Sequence, residues 1–177
     1  MEAINDPKLK VLETERLILR QFSLADRGLI LELLNEPSFI QNIGDRGVRT
    51  LSAAERYIEA GPAASYARNG FGLYLVQLKE SNEPIGMCGL IKRDALEDVD
   101  VGYAFLPRYW SRGYAIESVL AVLEYAKNIV RLKRVVAIVD PNNEGSIRVL
   151  EKAGFRFQKM VRLSADDIEL TLFAIEI

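Results

Sequence analysis

Histidine is absent from this chain and cysteine occurs once. Without histidine there is no Ser-His-Asp triad and no imidazole-bound zinc, so a general base has to come from a carboxylate, a tyrosine or a water. The single cysteine, Cys88, excludes an internal disulfide and a cysteine-rich metal cluster, and no metal is expected. It stands in the apolar run Ile85-Gly86-Met87-Cys88-Gly89-Leu90-Ile91, where a buried, inert thiol is the expected state. Neither sign of charge dominates: 23 Lys and Arg against 25 Asp and Glu give a net charge of −2. The chain therefore lacks the basic field of a nucleic-acid binder, and its slight acidity favours cationic acceptors such as amines. No apolar run is long enough to span a bilayer and no signal peptide opens the chain, so a cytoplasmic protein with no membrane partner is expected. Repeats, low-complexity tracts and interdomain linkers are missing too.

What is present describes one domain, residues 1–177, with 49% hydrophobic and 27% charged residues and enough interior for a core. Residues 1–10 form a polar lead-in and 11–22 an opening strand. Ser23 caps a helix over 24–35, with Asp26 three positions on, and Pro37 closes it. Residues 36–50 read as a loop. Ser52 with Glu55 makes a capping box for a second helix over 53–68, kinked or broken at Gly61-Pro62 and stopped at Asn69-Gly70. Apolar runs at 71–78, 84–91 and 99–105 are joined by connections too short for parallel crossovers, which predicts an antiparallel meander. A long helix follows, with Ile116, Val119, Leu120, Leu123, Ala126, Ile129 and Val130 on one face and Glu117, Glu124 and Lys127 on the other. Arg134–Val139 is a strand buried on both faces, reached by a right-handed crossover. A short helix over 144–153, capped by Gly154, leads to a closing hairpin of 155–163 and 168–175. The fold class is α/β (α+β): a mixed, mostly antiparallel twisted sheet of about seven strands with helices on both faces.

The chemistry concentrates where the third run of the meander meets the long helix, at Arg108-Tyr109-Trp110-Ser111-Arg112-Gly113-Tyr114-Ala115. A strand, a short basic turn containing glycine and a helix N-terminus make an anion site, because free N–H groups and the positive end of the helix dipole converge there. Gly113 lets the backbone approach a phosphate closely, and Arg112 adds a formal charge.

The string from Tyr109 to Glu117 resembles the acyl-CoA-binding turn of the GNAT superfamily of N-acetyltransferases, in particular the ribosomal-protein N-terminal acetyltransferase branch. Trp110 stands where the superfamily pattern has Gln or Arg. Thr14-Glu15-Arg16-Leu17-Ile18-Leu19-Arg20 is similar to that branch's opening strand. Asn143-Glu144-Gly145-Ser146 through Glu151-Lys152-Ala153-Gly154-Phe155 resembles a second superfamily segment, in the expected order. The resemblance implies two parallel strands that splay beyond their carboxyl ends and hold acetyl-CoA. Its thioester would lie near Ala104, Phe105 and Leu106, and its pyrophosphate on the amides of Arg112, Gly113, Tyr114, Ala115 and Ile116. It also implies acetyl transfer to an amine acceptor, a protein N-terminus or a small molecule, by direct attack in a ternary complex, and dimers are common among such proteins.

A backbone N–H near 105–106 is the expected oxyanion donor. Most superfamily members protonate the leaving thiolate with a Tyr; in this branch a helix-borne Ser takes that place, and Ser146 matches it. The other reading of Ser146 is hydrogen bonding at the helix start. Asn143 is an N-cap by its position and, by the resemblance, a partner of the pantetheine arm. Asp98 and Asp100 share one face of the strand before the turn, opposite Val99, Val101 and Tyr103. Asp100 matches the branch's acidic position and is the candidate base, through a water because Asp is short; two solvated carboxylates is the alternative. Arg148 and Lys152 are candidates for the CoA 3′-phosphate, Arg46 and Arg49 for the acceptor side, and Tyr109 and Trp110 for packing the turn on the sheet. From another functional class, a non-catalytic acyl-CoA sensor uses the same binding residues without transfer.

Overall fold

Alternating and apolar runs become strands β1 (Lys10–Glu13), β2 (Leu17–Arg20), β3 (Leu73–Leu78), β4 (Pro84–Ile91), β5 (Asp100–Phe105), β6 (Arg134–Val139), β7 (Arg156–Val161) and β8 (Leu170–Glu176) in a computed structural model that describes residues 9–177. They form one sheet in the order β1-β2-β3-β4-β5-β6-β8-β7, antiparallel throughout except for β5 and β6. The count is eight because the opening stretch folds back on itself: Thr14 N–H bonds the Leu17 carbonyl and splits the expected strand into β1 and β2. Lys10 of the expected lead-in already belongs to β1, the Leu9 carbonyl accepts from Gln21 N–H at 2.8 Å, and residues 1–8 lie outside the described residues.

Six helices cover the sheet: α1 (Arg27–Asn35), α2 (Pro37–Asn42), α3 (Leu51–Ile58), α4 (Ala64–Asn69), α5 (Tyr114–Tyr125) and α6 (Glu144–Lys152). Every interior residue of β4 is buried, which requires cover on both faces, and both α1 and α5 pack on it. Among the described residues no helix is long and apolar enough to cross a membrane.

Several helix boundaries differ from the sequence reading for local reasons. The stretch read as a loop contains α2, because Pro37 sits at its first turn, where the missing N–H costs nothing. Thr50 rather than Ser52 caps α3, accepting from Ala53 N–H at 3.0 Å. Between α3 and α4 the chain stays helical through a π turn, Glu59–Ala63, which accommodates Pro62. The buried stripe of α5 is Val119, Val122, Leu123 and Ala126, and a further π turn, Ala126–Val130, shifts the phase beyond it. Against expectation, Leu120, within regular α5 but off that stripe, is 46% exposed, and Ile129, inside the π turn, is 68% exposed.

At the start of α1 the sequence hint of a cap becomes a buried network. Arg20 forks onto both carboxylate oxygens of Asp26 at 2.8 Å and gives its Nε to Gln77 Oε1 at 2.8 Å. Asp26 also accepts from the Ser23 amide at 2.8 Å. Arg20 and Asp26 are both buried, so removing one leaves the other's charge uncompensated. Asp26→Ala is expected to lower the unfolding free energy by about 3–5 kcal/mol in urea denaturation; a loss below about 1 kcal/mol contradicts the network's assigned weight.

Candidate active site

The parallel strands β5 and β6 share one registered pair, Asp100 opposite Val136, where Val136 N–H donates to the Val99 carbonyl at 3.0 Å. Beyond it they part. Each is paired along its other edge, β5 with β4 from Asp100↔Ile91 to Phe105↔Gly86, and β6 with β8 from Arg134↔Glu176 to Val139↔Thr171. Opening the sheet here therefore forfeits few hydrogen bonds. The gap continues into a cleft of about 1310 Å³ lined by both strands and by the N-termini of α5 and α6.

Strand alternation decides which backbone groups face that gap. Leu106 N–H donates to the Ile85 carbonyl at 3.0 Å, so Leu106, and with it Ala104, turns its main-chain groups toward β4. Phe105 and Tyr103 turn theirs into the cleft. Of the three residues expected at the thioester, Phe105 thus offers a free amide and Ala104 lines the wall. Leu106 is corrected: it is fully buried and its amide is already bonded. The Phe105 carbonyl accepts from Trp110 Nε1 at 2.8 Å, which pins the turn to the strand end.

Ser111 and Gly113 both take positive φ, 60° and 82°, and Gly113 is the residue from which α5 starts. This curl leaves the amides of Arg112, Gly113, Tyr114, Ala115 and Ile116 without an acceptor among the described residues, an anion seat of the expected kind. The expectation that Arg112 adds its charge there is corrected. Its guanidinium lies 5.7 Å from the Tyr109 ring centre and is absent from the cleft lining, so Arg112 contributes an amide only. The seat is held from behind by residues the sequence reading gave no role at the site. Arg16 donates to Glu117 Oε2 at 2.7 Å and to the Arg112 carbonyl at 3.0 Å, and Thr14 Oγ bonds Glu117 Oε1 at 2.6 Å. Burial works against the Glu117 charge, yet the Thr14 and Arg16 bonds hold its carboxyl below the usual range.

Across the gap, Asn143 accepts from Ser146 N–H at 3.1 Å, the N-cap role expected of it. The Ser146 hydroxyl stands 2.7 Å from the Tyr103 hydroxyl, bridging β5 and α6. Tyr103 was placed only as a strand residue by the sequence reading; its partner lies 43 positions away and no local pattern joins them. Burial raises its phenol well above the ordinary value, so it keeps its proton.

On the opposite face of β5, Asp100 is 1% exposed and accepts from Arg93 Nε at 2.7 Å. Its Oδ1 makes no hydrogen bond among the described residues. Burial pushes the carboxyl up to about 6, opposed by the Arg93 charge and hydrogen bond and by the nearby Ile138 amide. Asp98 lies before the strand, pairs with Arg134 at 3.2 Å and does not line the cleft. The alternative of two solvated carboxylates fails for Asp100. Cys88 is buried, with its thiol pushed up by desolvation.

Residues 16–156 match the family described as acetyltransferase (GNAT) domain. YkkB, an uncharacterised protein of Bacillus subtilis, is 35% identical over 95 residues, 52% of this chain and 55% of that one. YoaA, an uncharacterised N-acetyltransferase of the same organism, is 29% identical over 154 residues, 86% of each chain. A solved structure of a ribosomal-protein α-N-acetyltransferase in complex with coenzyme A superposes at a TM-score of 0.79 over 93% of this chain and 96% of that one, a likeness of fold at 17% identity.

With an ordinary value of 3.8 and a native value of about 6, Asp100 binds its proton more tightly in the folded chain. Its contribution to stability is fullest below the lower value and falls as pH rises through the higher one. Asp100→Asn is accordingly expected to gain about 2–3 kcal/mol relative to the parent between pH 4 and pH 7 in denaturant unfolding. A difference that stays flat over that range contradicts the assigned shift.

Proposed function

The chain belongs to the acetyltransferase (GNAT) family, and we propose that it transfers an acetyl group from acetyl-CoA to a primary amine, of a protein N-terminus or a small molecule, by direct attack in a ternary complex. The observation that carries this is the parting of β5 from β6 with the unbonded amides of 112–116 at one end and the Tyr103–Ser146 hydroxyl pair across the gap. A pantetheine arm laid in the gap replaces the missing ladder, bonding main-chain groups of β5 as a strand would. The diphosphate fits the amide curl at the start of α5, and no buried cation has to be displaced to admit it. Arg148 and Lys152 line the same cleft, where a 3′-phosphate on the α6 side falls within their reach.

The reaction forms an N–C bond and breaks a C–S bond. The amine nitrogen, once neutral, attacks the thioester carbon and gives its proton to ionised Asp100 through a water. A cleft-facing main-chain N–H of β5 nearer Asp100 than Phe105, which lies about 16 Å along the strand from it, donates to the carbonyl oxygen as its charge develops. The departing thiolate accepts a hydrogen bond from the Ser146 hydroxyl, which Tyr103 orients, and takes its proton through that hydroxyl pair from water in the cleft. Base and acid sit on opposite faces of β5, so the proton removed from the nitrogen and the one given to sulfur never compete for one group.

Incubation with labelled acetyl-CoA and a panel of primary amines and short peptides is expected to yield acetylated amine and an equal amount of free CoA. Binding of acetyl-CoA without release of CoA favours the sensor reading instead. Asp100→Asn is expected to lower kcat/KM by roughly a hundredfold with acetyl-CoA affinity intact, and to abolish a rise in rate as pH passes about 6. Unchanged rates at every pH remove Asp100 from the mechanism.

A further inference from the structure

The side of the cleft that holds Asp100 carries cationic groups that the transfer itself does not use. Arg46 sits in a tight turn between Gly44 and Gly47, whose φ angles of 116° and 68° set its course. Asp45 of the same turn is already engaged, accepting from Gly47 N–H at 2.8 Å and from Arg49 at 2.6 Å. Arg49 is thereby neutralised in place. Arg46 lines the cleft and, among the described residues, has neither an acidic partner nor a hydrogen bond for its side chain. Arg93 gives Nε to Asp100 and leaves its two Nη groups unbonded among the described residues. Tyr57 lines the same region with its hydroxyl unbonded, close enough to both guanidiniums for their charges to oppose the rise that burial imposes on its phenol.

Three donor groups without an acceptor therefore converge beside the candidate base. Of the acidic residues lining the cleft, Asp100 is held by Arg93, Asp140, Glu144, Asp166 and Asp167 lie beyond β6 on the other half of the sheet, and Glu36 stands at the start of α2. Next to Asp100 itself an acceptor meets the guanidiniums of Arg93 and Arg46 and the Tyr57 hydroxyl. We infer that the acceptor is an amine that also bears an oxyanion, a carboxylate or a phosphate ester, which Arg46 and Tyr57 hold while the amine lies one water from Asp100. The inference rests on the transfer reading and names its substrate class. It departs from the expectation of cationic acceptors, because a net charge of −2 averages over the whole surface and says nothing of this mouth.

The test compares acceptors in matched pairs: α-amino acids against their α-carboxamides, and O-phosphoethanolamine against ethanolamine. The anionic member is expected to be preferred by about tenfold or more in kcat/KM, mainly through KM, as befits one charged hydrogen-bonding partner. The pair that shows the preference identifies the oxyanion. Arg46→Ala is expected to erase it by raising KM for the anionic member alone, Arg46→Lys to keep part of it, and neither to change KM for acetyl-CoA. Equal use of the neutral members, or a preference that survives Arg46→Ala, overturns the inference while leaving transfer intact. If nothing is acetylated, calorimetry of the CoA-loaded protein with N-acetyl amino acids and their carboxamides decides separately. Anion-selective binding lost in Arg46→Ala upholds the oxyanion site and rejects transfer; binding without selectivity rejects the site.

Discussion

A parallel strand pair held by one register point is the constraint on which the rest of this molecule depends. β4 and β8 hold the outer edges of β5 and β6, so the sheet behaves as two half-sheets hinged at Asp100 and Val136. Each inner strand ends at the cleft and passes through a short turn into a helix whose N-terminus must then face the same opening. The unsatisfied amides at the start of α5 and an open strand edge meet there. The helix ends are fixed by ordinary capping: Asn143 on α6, and Gly113 with the Arg16–Glu117 brace on α5.

The same strand separates the two halves of the chemistry. Tyr103 and Asp100 are three residues apart, an odd number, and so project from opposite faces of β5. One reaches α6 and finds Ser146; the other is buried at the cleft wall, where Arg93 and the Ile138 amide meet it. Their environments push both groups toward the protonated form by desolvation, but to different ends. The phenol stays protonated, whereas the carboxyl is brought to about 6. The Asp100 side of the cleft takes its cationic groups from the turn at 44–47 and from Arg93, neither of which belongs to the turn before α5.

Much of this was legible in the chain because it is written locally. The strand, the basic turn and the helix at 99–129, and the Asn143 cap with Ser146 three positions on, are short-range patterns whose backbone consequences follow directly. Cys88 in an apolar run was read as buried for the same reason. What the sequence concealed depends on partners far along it. The Tyr103–Ser146 bond spans 43 positions and the Arg16–Glu117 brace 101, and no periodicity connects them. Leu106 looked available until its pairing with Ile85 fixed the parity of β5. Arg112 carried the charge expected of an anion site, yet its side chain lies against Tyr109 and leaves the amides to do the binding. Helix phase departs from the sequence reading at Ile129, since a π turn is invisible to a fixed 3.6-residue period, and at Leu120, which sits off the buried stripe of Val119, Val122 and Leu123.

The central claim, that the parted strands and the curl before α5 form one seat for a coenzyme A molecule, is tested most directly by amide hydrogen exchange with and without added coenzyme A. The account predicts slowed exchange at the amides of residues 112–116 and at Phe105, with Leu106 unchanged because it is already bonded to Ile85. Exchange at those amides that is indifferent to the ligand, or protection confined to another part of the sheet, contradicts it.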